Sequence, residues 1–302
     1  MLEIRVPATS ANMGPGFDCL GVALNLYNRY QVEECEEGLH IDGCEEAYRN
    51  ENNLFYVSMK KCFEQIGCNS GRRGYRIGFE SDIPVSRGLG SSAACIVGGV
   101  LAANELSGAR LSMHEILEIA SGIEGHPDNI TPALYGGMTV SIQDGSQVFF
   151  EKIKLPEGLK FCAIIPDFQL STKEARAVLP ASIPYKDGVY NVGRVSLMIA
   201  ALSNGNFDLL RMACRDKLHE NYRGGLIRNY SDIVEECNRQ NSLCVFLSGA
   251  GPTIMSVLRE DDHEFCCHME EYLKKMENNW ILKELRSDSS GASVSKAPVL
   301  II

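Results

Sequence analysis

Polar and apolar residues alternate over residues 2–6 and again over 30–34, the period of two expected of strands with one buried face. Residues 53–65 carry the longer period of a helix, and alternation returns over 75–80. A small-residue stretch, 84–94, then leads into the apolar run 93–103, which predicts a strand, a glycine turn and a buried helix in succession. Ser112 and Glu115 form a capping box that opens a helix with Ile116, Leu117, Ile119, Ala120 and Ile123 on its apolar side. A strand is expected over 138–142. After Pro156-Glu157-Gly158 the apolar segment 161–165 predicts another strand and the start of a second domain. Beyond it come a capping box at Ser171 and Glu174, helices over 191–204 and 207–219, and strands over 243–247 and 253–258. A glycine turn, 248–252, joins those two strands. A helix over 265–276 and an edge strand at 299–302 complete the expectation. Strands and helices mixed in this order predict an α+β architecture, divided into domains at 1–155 and 156–302.

Composition narrows the setting. The chain has 302 residues, 45% of them hydrophobic, enough for a core without covalent staples. Its twelve cysteines include no Cys-x-x-Cys pair and read as small packing residues in a reducing compartment. Cys266 and Cys267 make no metal-ligand pattern with His263 or His268, which are expected on the solvated side of a helix. The first residues lack a signal pattern, and no uncharged apolar run approaches ~20 residues, so a cytoplasmic protein without a membrane span is expected. A formal charge of −10 argues against a nucleic-acid partner. Any anionic substrate must therefore be held by local positive groups. The sequence leaves the oligomeric state open, a homodimer among the options.

The richest chemistry lies in Pro84-Val85-Ser86-Arg87-Gly88-Leu89-Gly90-Ser91-Ser92-Ala93-Ala94. Gly88 and Gly90 permit positive φ and close approach of a ligand, and Ser91 and Ser92 fall where a helix leaves its first amides unpaired. Those amides and the helix dipole attract an anion. Gly88-x-Gly90-x-x-Ala93 formally fits a dinucleotide fingerprint, but no second strand ending in an acidic residue follows. The Walker A pattern fails because no Gly-Lys-Ser/Thr follows the glycines. A tight turn with a serine helix cap is the plainest alternative.

Near the start, Pro7-Ala8-Thr9-Ser10-Ala11-Asn12-Met13-Gly14-Pro15-Gly16-Phe17-Asp18 reads as a fixed loop whose only reaching polar side chains are Asn12 and Asp18. Together with the glycine-serine loop and Ser248-Gly249-Ala250-Gly251-Pro252-Thr253, this segment resembles the three ordered motifs of the GHMP small-molecule kinases. Two further stretches, Glu124-Gly125-His126-Pro127-Asp128-Asn129 and Ser171-Thr172-Lys173-Glu174-Ala175-Arg176, are similar to those of the branch that phosphorylates L-homoserine. The likeness spans residues 7 to 253. It implies an N-terminal domain like domain 2 of ribosomal protein S5, a ferredoxin-like C-terminal domain, and transfer of phosphate from ATP to L-homoserine.

The same resemblance implies the site. Residues Pro84 to Ala94, named above, would cradle the triphosphate, and Ser92 with Glu124 would hold Mg²⁺, a cation that prefers hard oxygen ligands. Asn12, His126 and Asn129 are the expected catalytic residues, and Asn12, Asp18, His126, Asn129, Thr172, Arg176 and Arg223 the substrate-binding set. Forked guanidinium groups suit a carboxylate, and Asp18 suits an ammonium. The match departs where His219-Glu220-Asn221-Tyr222-Arg223 replaces the common His-Gln-Pro-Tyr-Arg, and Leu226-Ile227-Arg228-Asn229 replaces Leu-Ile-Pro-Gly. Arg228 is therefore an alternative to Arg223 in the clamp. A family member acting on another small alcohol, or a silent ligand sensor, remains the rival reading.

Overall fold

The computed structural model describes residues 1–68 and 74–296. The chain begins with β1 (Leu2–Ala11), β2 (Leu20–Cys35) and β3 (Leu39–Asp42), followed by α1 (Leu54–Gln65), β4 (Gly74–Ser81) and α2 (Ser91–Ser107). Next come α3 (Met113–Glu124), α4 (Ile130–Tyr135) and the hairpin β5 (Met138–Asp144) and β6 (Gln147–Ile153). The second half holds β7 (Leu159–Pro166), α5 (Thr172–Ala177), α6 (Tyr185–Ser203), α7 (Leu210–Ala213), α8 (Glu220–Arg223) and α9 (Tyr230–Arg239). It closes with β8 (Cys244–Leu247), β9 (Ile254–Arg259), α10 (Phe265–Leu273), β10 (Trp280–Leu285) and β11 (Ser293–Lys296).

Two sheets organise these elements. The first has seven strands, five of them in the order β11-β1-β2-β4-β3, and the first residues of the long β2, Leu20 to Val22, also pair with β5, which pairs with β6. Helix α2 packs on β1, flanked by α1, α3 and α4. It is apolar on nearly all sides because it is enclosed on nearly all sides. Where α1 crosses it, a Cβ on Gly99 would lie 2.3 Å from Phe55 O, so only glycine allows the two helices to touch there.

The second sheet is antiparallel, in the order β10-β7-β9-β8, which is the strand order of a ferredoxin-like βαββαβ unit with extra helices after its first strand. Period-two alternation in β7 sends Phe161, Ala163 and Ile165 into the main core with α6 and α7, while Cys162 and Ile164 join α9 and α10 on the other face. The α+β expectation is met.

Several local expectations change. The helix expected over 207–219 stops at Ala213, because Asp216 takes the amides of Leu218, His219 and Glu220 for its own carboxylate, and Asn191 takes that of Lys217. The helix expected from 191 starts earlier, at Tyr185. The strand expected at 299–302 lies outside the described residues; β11 is the last described strand. All twelve cysteines are free, and His263 and His268 are exposed. Among the described residues no helix is long and apolar enough to cross a membrane.

Candidate active site

At the end of β1 the chain turns through Asn12, Met13, Gly14 and Asp18, all with positive φ. Buried Asn12 holds this turn: its Oδ1 accepts from Asp18 N at 2.9 Å, and its Nδ2 donates to Gly249 O at 2.7 Å. Ser10 and Ser248 hydroxyls meet at 2.7 Å, and Gly249 N donates to Ala11 O. The first and third motifs are thus locked together.

The glycine-serine loop lies against both. Thr9 N donates to Leu89 O, and Ser248 Oγ donates to Gly88 O at 2.6 Å. Gly88 (φ +76°) would place a Cβ 2.4 Å from Ser248 O, and Gly90 (φ +73°) would place one 2.0 Å from Thr9 Oγ1. Left-handed backbone and lack of space each demand glycine at both positions. Gly90 is itself the cap residue of α2 and no side chain caps that helix, so the serine-cap alternative does not hold. The site at this helix start keeps its dipole and leading amides available for an anion.

A capping box from Ser112 starts α3, and Gly125 (φ +93°) ends it directly after Glu124. Ser92 Oγ donates to Glu124 Oε2 at 2.7 Å. Burial pushes the Glu124 carboxyl above its ordinary pKa, with the nearby Asp128 charge adding to the effect and the Ser92 hydrogen bond opposing it. His126 Nδ1 lies 2.7 Å from Asp128 Oδ1, and that same oxygen accepts from Asn129 N. Burial disfavours charge on His126, but the Asp128 hydrogen bond and the Asp128 and Glu124 charges together raise its pKa. Asn129 stands at the start of α4 and accepts the Thr9 hydroxyl on Oδ1 at 2.7 Å.

The capping box at Ser171 starts α5, placing Thr172 first and Arg176 in its last turn. Arg176 grips Asp18 with two hydrogen bonds, 2.7 and 3.1 Å. Arg223 is 1% exposed and donates to the carbonyls of Ala175 and Gly249, so it braces α5 against the turn after β8 while still touching the cavity. Phe17 lies under both guanidinium groups, 5.8 Å from that of Arg176 and 5.0 Å from that of Arg223. Arg228 points elsewhere: it is exposed, pairs with Glu277 and is absent from the cavity wall.

One cavity of about 320 Å³ gathers most of these groups. Its wall contains Asn12, Asp18, Val85, Ser86, Arg87, Gly88, Gly90, Ser91, Ser92, Glu124, His126, Asn129, Thr172, Arg176 and Arg223. Pro84, Leu89, Ala93 and Ala94 are not part of that wall, and the last three are buried in the core. The wall also contains residues outside the motifs, Asn28, Cys44, Tyr48, Asn53, Leu54, Phe79, Ser81 and Cys95, and Asp128, which lies within a motif but had no role assigned. Asn53 doubles as the cap of α1, accepting the amides of Phe55 and Tyr56. Its place at a helix start was legible; its place in the cavity was not. Glu124 and Ser92 offer hard oxygens to a cation, and among the described residues no cluster of three His, Cys, Asp or Glu side chains forms a protein-only metal site.

Comparison with known proteins agrees with this geometry. The family model described as GHMP kinases N terminal domain matches residues 53–137, and that described as GHMP kinases C terminal matches residues 198–275. The chain belongs to the GHMP kinase family. A homoserine kinase of Clostridium botulinum is 59% identical over 299 residues, covering 99% of this chain and all of its own length. The crystal structure of a homoserine kinase from Cytophaga hutchinsonii superposes with a TM-score of 0.86 at 26% identity, covering 97% of each chain. A putative homoserine kinase from Listeria monocytogenes superposes with a TM-score of 0.80 at 29% identity, covering 99% of this chain and 100% of its own. Two halves of one kinase fold thus meet at the cavity.

Proposed function

We propose that this GHMP kinase transfers the γ-phosphoryl group of ATP to the hydroxyl of L-homoserine, giving O-phospho-L-homoserine for threonine biosynthesis in the cytoplasm. The observation that carries the choice of acceptor is the forked Arg176–Asp18 pair on the wall that also holds the glycine-serine loop. A guanidinium and a carboxylate side by side complement an amino acid's carboxylate and ammonium. A neutral alcohol offers neither charge to this pair, which would stay closed on itself. The high identity of the chain to the Clostridium botulinum homoserine kinase along its whole length supports the same choice.

In this reading Gly88, Gly90 and the first amides of α2 receive the triphosphate, each well-aimed donor contributing ~3 to 4 kcal/mol to the transition state by analogy with oxyanion sites. The adenine would rest among Asn28, Tyr48, Asn53 and Phe79, where ring faces and amide groups share the wall. Ser92 and Glu124 would hold Mg²⁺, which supplies neutralisation of phosphate charge when bound. Asn12 fixes the turn that carries Asp18. His126, aligned by Asp128, and Asn129 would orient the acceptor hydroxyl in line with the γ-phosphorus. Asn129 cannot take a proton. The loose transition state of phosphoryl transfer makes alignment, rather than a strong base, the main requirement.

Release of ADP measured on purified protein with homoserine, mevalonate, galactose and shikimate tests the assignment. Homoserine should give the highest kcat/KM. A higher value for another alcohol would overturn the acceptor, and no turnover with any of the four would favour a silent sensor.

A further inference from the structure

Arg87 lies inside the anion-binding loop, yet its guanidinium is engaged elsewhere. Nε donates to Pro166 O at 3.0 Å, Nη1 to Val85 O at 3.0 Å and Nη2 to Asp167 O at 2.7 Å. Pro166 ends β7, and three residues after Asp167 the amide of Leu170 donates back to Ser86 O at 3.2 Å. Thr253 N donates to Arg87 O from the start of β9's approach. Leu170 stands two residues before Thr172, the first residue of the helix that carries Arg176. One side chain therefore ties the phosphate loop to the segment that leads into the acceptor-binding helix. Its carbonyl partners leave the positive charge unneutralised, and among the described residues no carboxylate pairs with it.

We propose that Arg87 is a positioning residue that fixes the register between the phosphoryl donor and the acceptor hydroxyl, without touching the transferred group. This rests on the phosphotransfer reading above. A fork with two donors on the carbonyls of Pro166 and Asp167 and a third on the loop's own Val85 O resists both translation and rotation of the loop against β7, which a single ammonium cannot do. Loss of the fork lets the γ-phosphoryl drift from the line of the hydroxyl by a fraction of the distance that separates them. Misalignment near 1 Å costs on the order of 10²-fold in rate. Water, present at high concentration and free of orientation demands, then competes. In that side reaction a water oxygen bonds to the γ-phosphorus, the bond to the bridging oxygen breaks, and the water proton passes to solvent, leaving ADP and inorganic phosphate.

The test measures ADP and O-phosphohomoserine in the same reactions for the unaltered chain, Arg87→Lys and Arg87→Ala. Arg87→Lys keeps the charge but not the fork, so its homoserine-dependent kcat should fall roughly 10- to 100-fold. KM for either substrate should change less than about threefold, and ADP should form in excess over O-phosphohomoserine. Free guanidinium ion should restore part of the coupling in Arg87→Ala, as it can refill the vacated fork. A lysine variant that keeps one ADP per O-phosphohomoserine and its kcat overturns the proposal. So does a selective rise in KM for ATP with coupling intact, which would make Arg87 a nucleotide ligand. If Arg87→Ala fails to fold, the product ratio of Arg87→Lys decides alone. An unaltered chain without homoserine turnover refutes the functional reading first, and this proposal with it.

Discussion

Replacing Arg176 with alanine separates recognition of the acceptor from recognition of the nucleotide. In the free site Arg176 and Asp18 are 38% and 35% exposed and joined by two hydrogen bonds. Truncating one partner of a hydrogen-bonded charge pair costs ~2 to 5 kcal/mol when water is excluded. Partial exposure puts this case toward the lower end, ~2 to 3 kcal/mol, because water replaces part of what is lost. At ~1.4 kcal/mol per factor of ten, kcat/KM for homoserine should fall roughly 30- to 150-fold. The effect on folding should stay below ~1 kcal/mol, since a half-exposed pair contributes little to stability. Initial rates with homoserine varied at saturating ATP, and the reverse, give both KM values. A thermal melt gives the stability change. An equal loss on the ATP side would place Arg176 in the nucleotide site, and an unchanged kcat/KM for homoserine would remove it from recognition altogether.

Two further outcomes follow from burial and backbone. Glu220 turns its carboxylate inward to accept Leu247 N, and burial, helped by the Asp216 charge, raises its pKa to about 8. The folded chain then holds a proton that the unfolded chain, titrating at ~4.3, releases earlier. The stability it brings is complete below that lower value and is lost as pH rises through about 8. Glu220→Gln should flatten the fall of Tm between pH 5 and 8 and raise Tm at pH 8; a variant whose Tm tracks the unaltered chain at every pH would refute the burial argument. Gly90→Ala forces a Cβ to 2.0 Å from Thr9 Oγ1 at φ +73°, a left-handed conformation that alone costs ~1 to 2 kcal/mol. Because Thr9 Oγ1 holds Asn129, the variant should lose both Tm and turnover, and retention of either at its original level would show that the loop can yield.

Much of the site was legible because its residues sit in compact motifs with local physical signatures. Both capping boxes formed as spaced, and the glycine pair stands where close approach requires it. The remaining cavity wall was not legible, since Asn28 comes from β2, Tyr48 from the segment after β3, and Phe79 and Ser81 from the end of β4, with no motif joining the three places. Each also has an ordinary structural duty: Asn28, for example, accepts Ile83 N and donates to the Tyr30 hydroxyl. Short strands escaped for a similar reason. β3 has four residues between glycines, and β11 reads Ser-Val-Ser-Lys, too polar to announce a sheet partner. α9 was missed although it follows Asn229, whose φ of +60° marks a turn. The helix that failed, after Ala213, failed through side chains competing for amides, which periodicity does not record.

The strand order of the larger sheet also sets a timetable. Six of its strands have been synthesised once Ile153 is made, but β1 must wait for β11, which begins about 140 residues later at Ser293. At bacterial-to-eukaryotic elongation rates of roughly 5 to 20 residues per second, that delay lasts about 7 to 28 s. Throughout it, β1 presents a bare row of amides and carbonyls, the kind of edge that invites pairing with another chain. The segment leading to β11 also brings Asp288 O to accept from Gly137 N and Ala292 N to donate to Leu134 O, fastening the end of the helix that starts at Asn129. A nascent chain therefore carries its phosphate loop early and its finished acceptor site late, and chaperone occupancy during synthesis should peak between those two events.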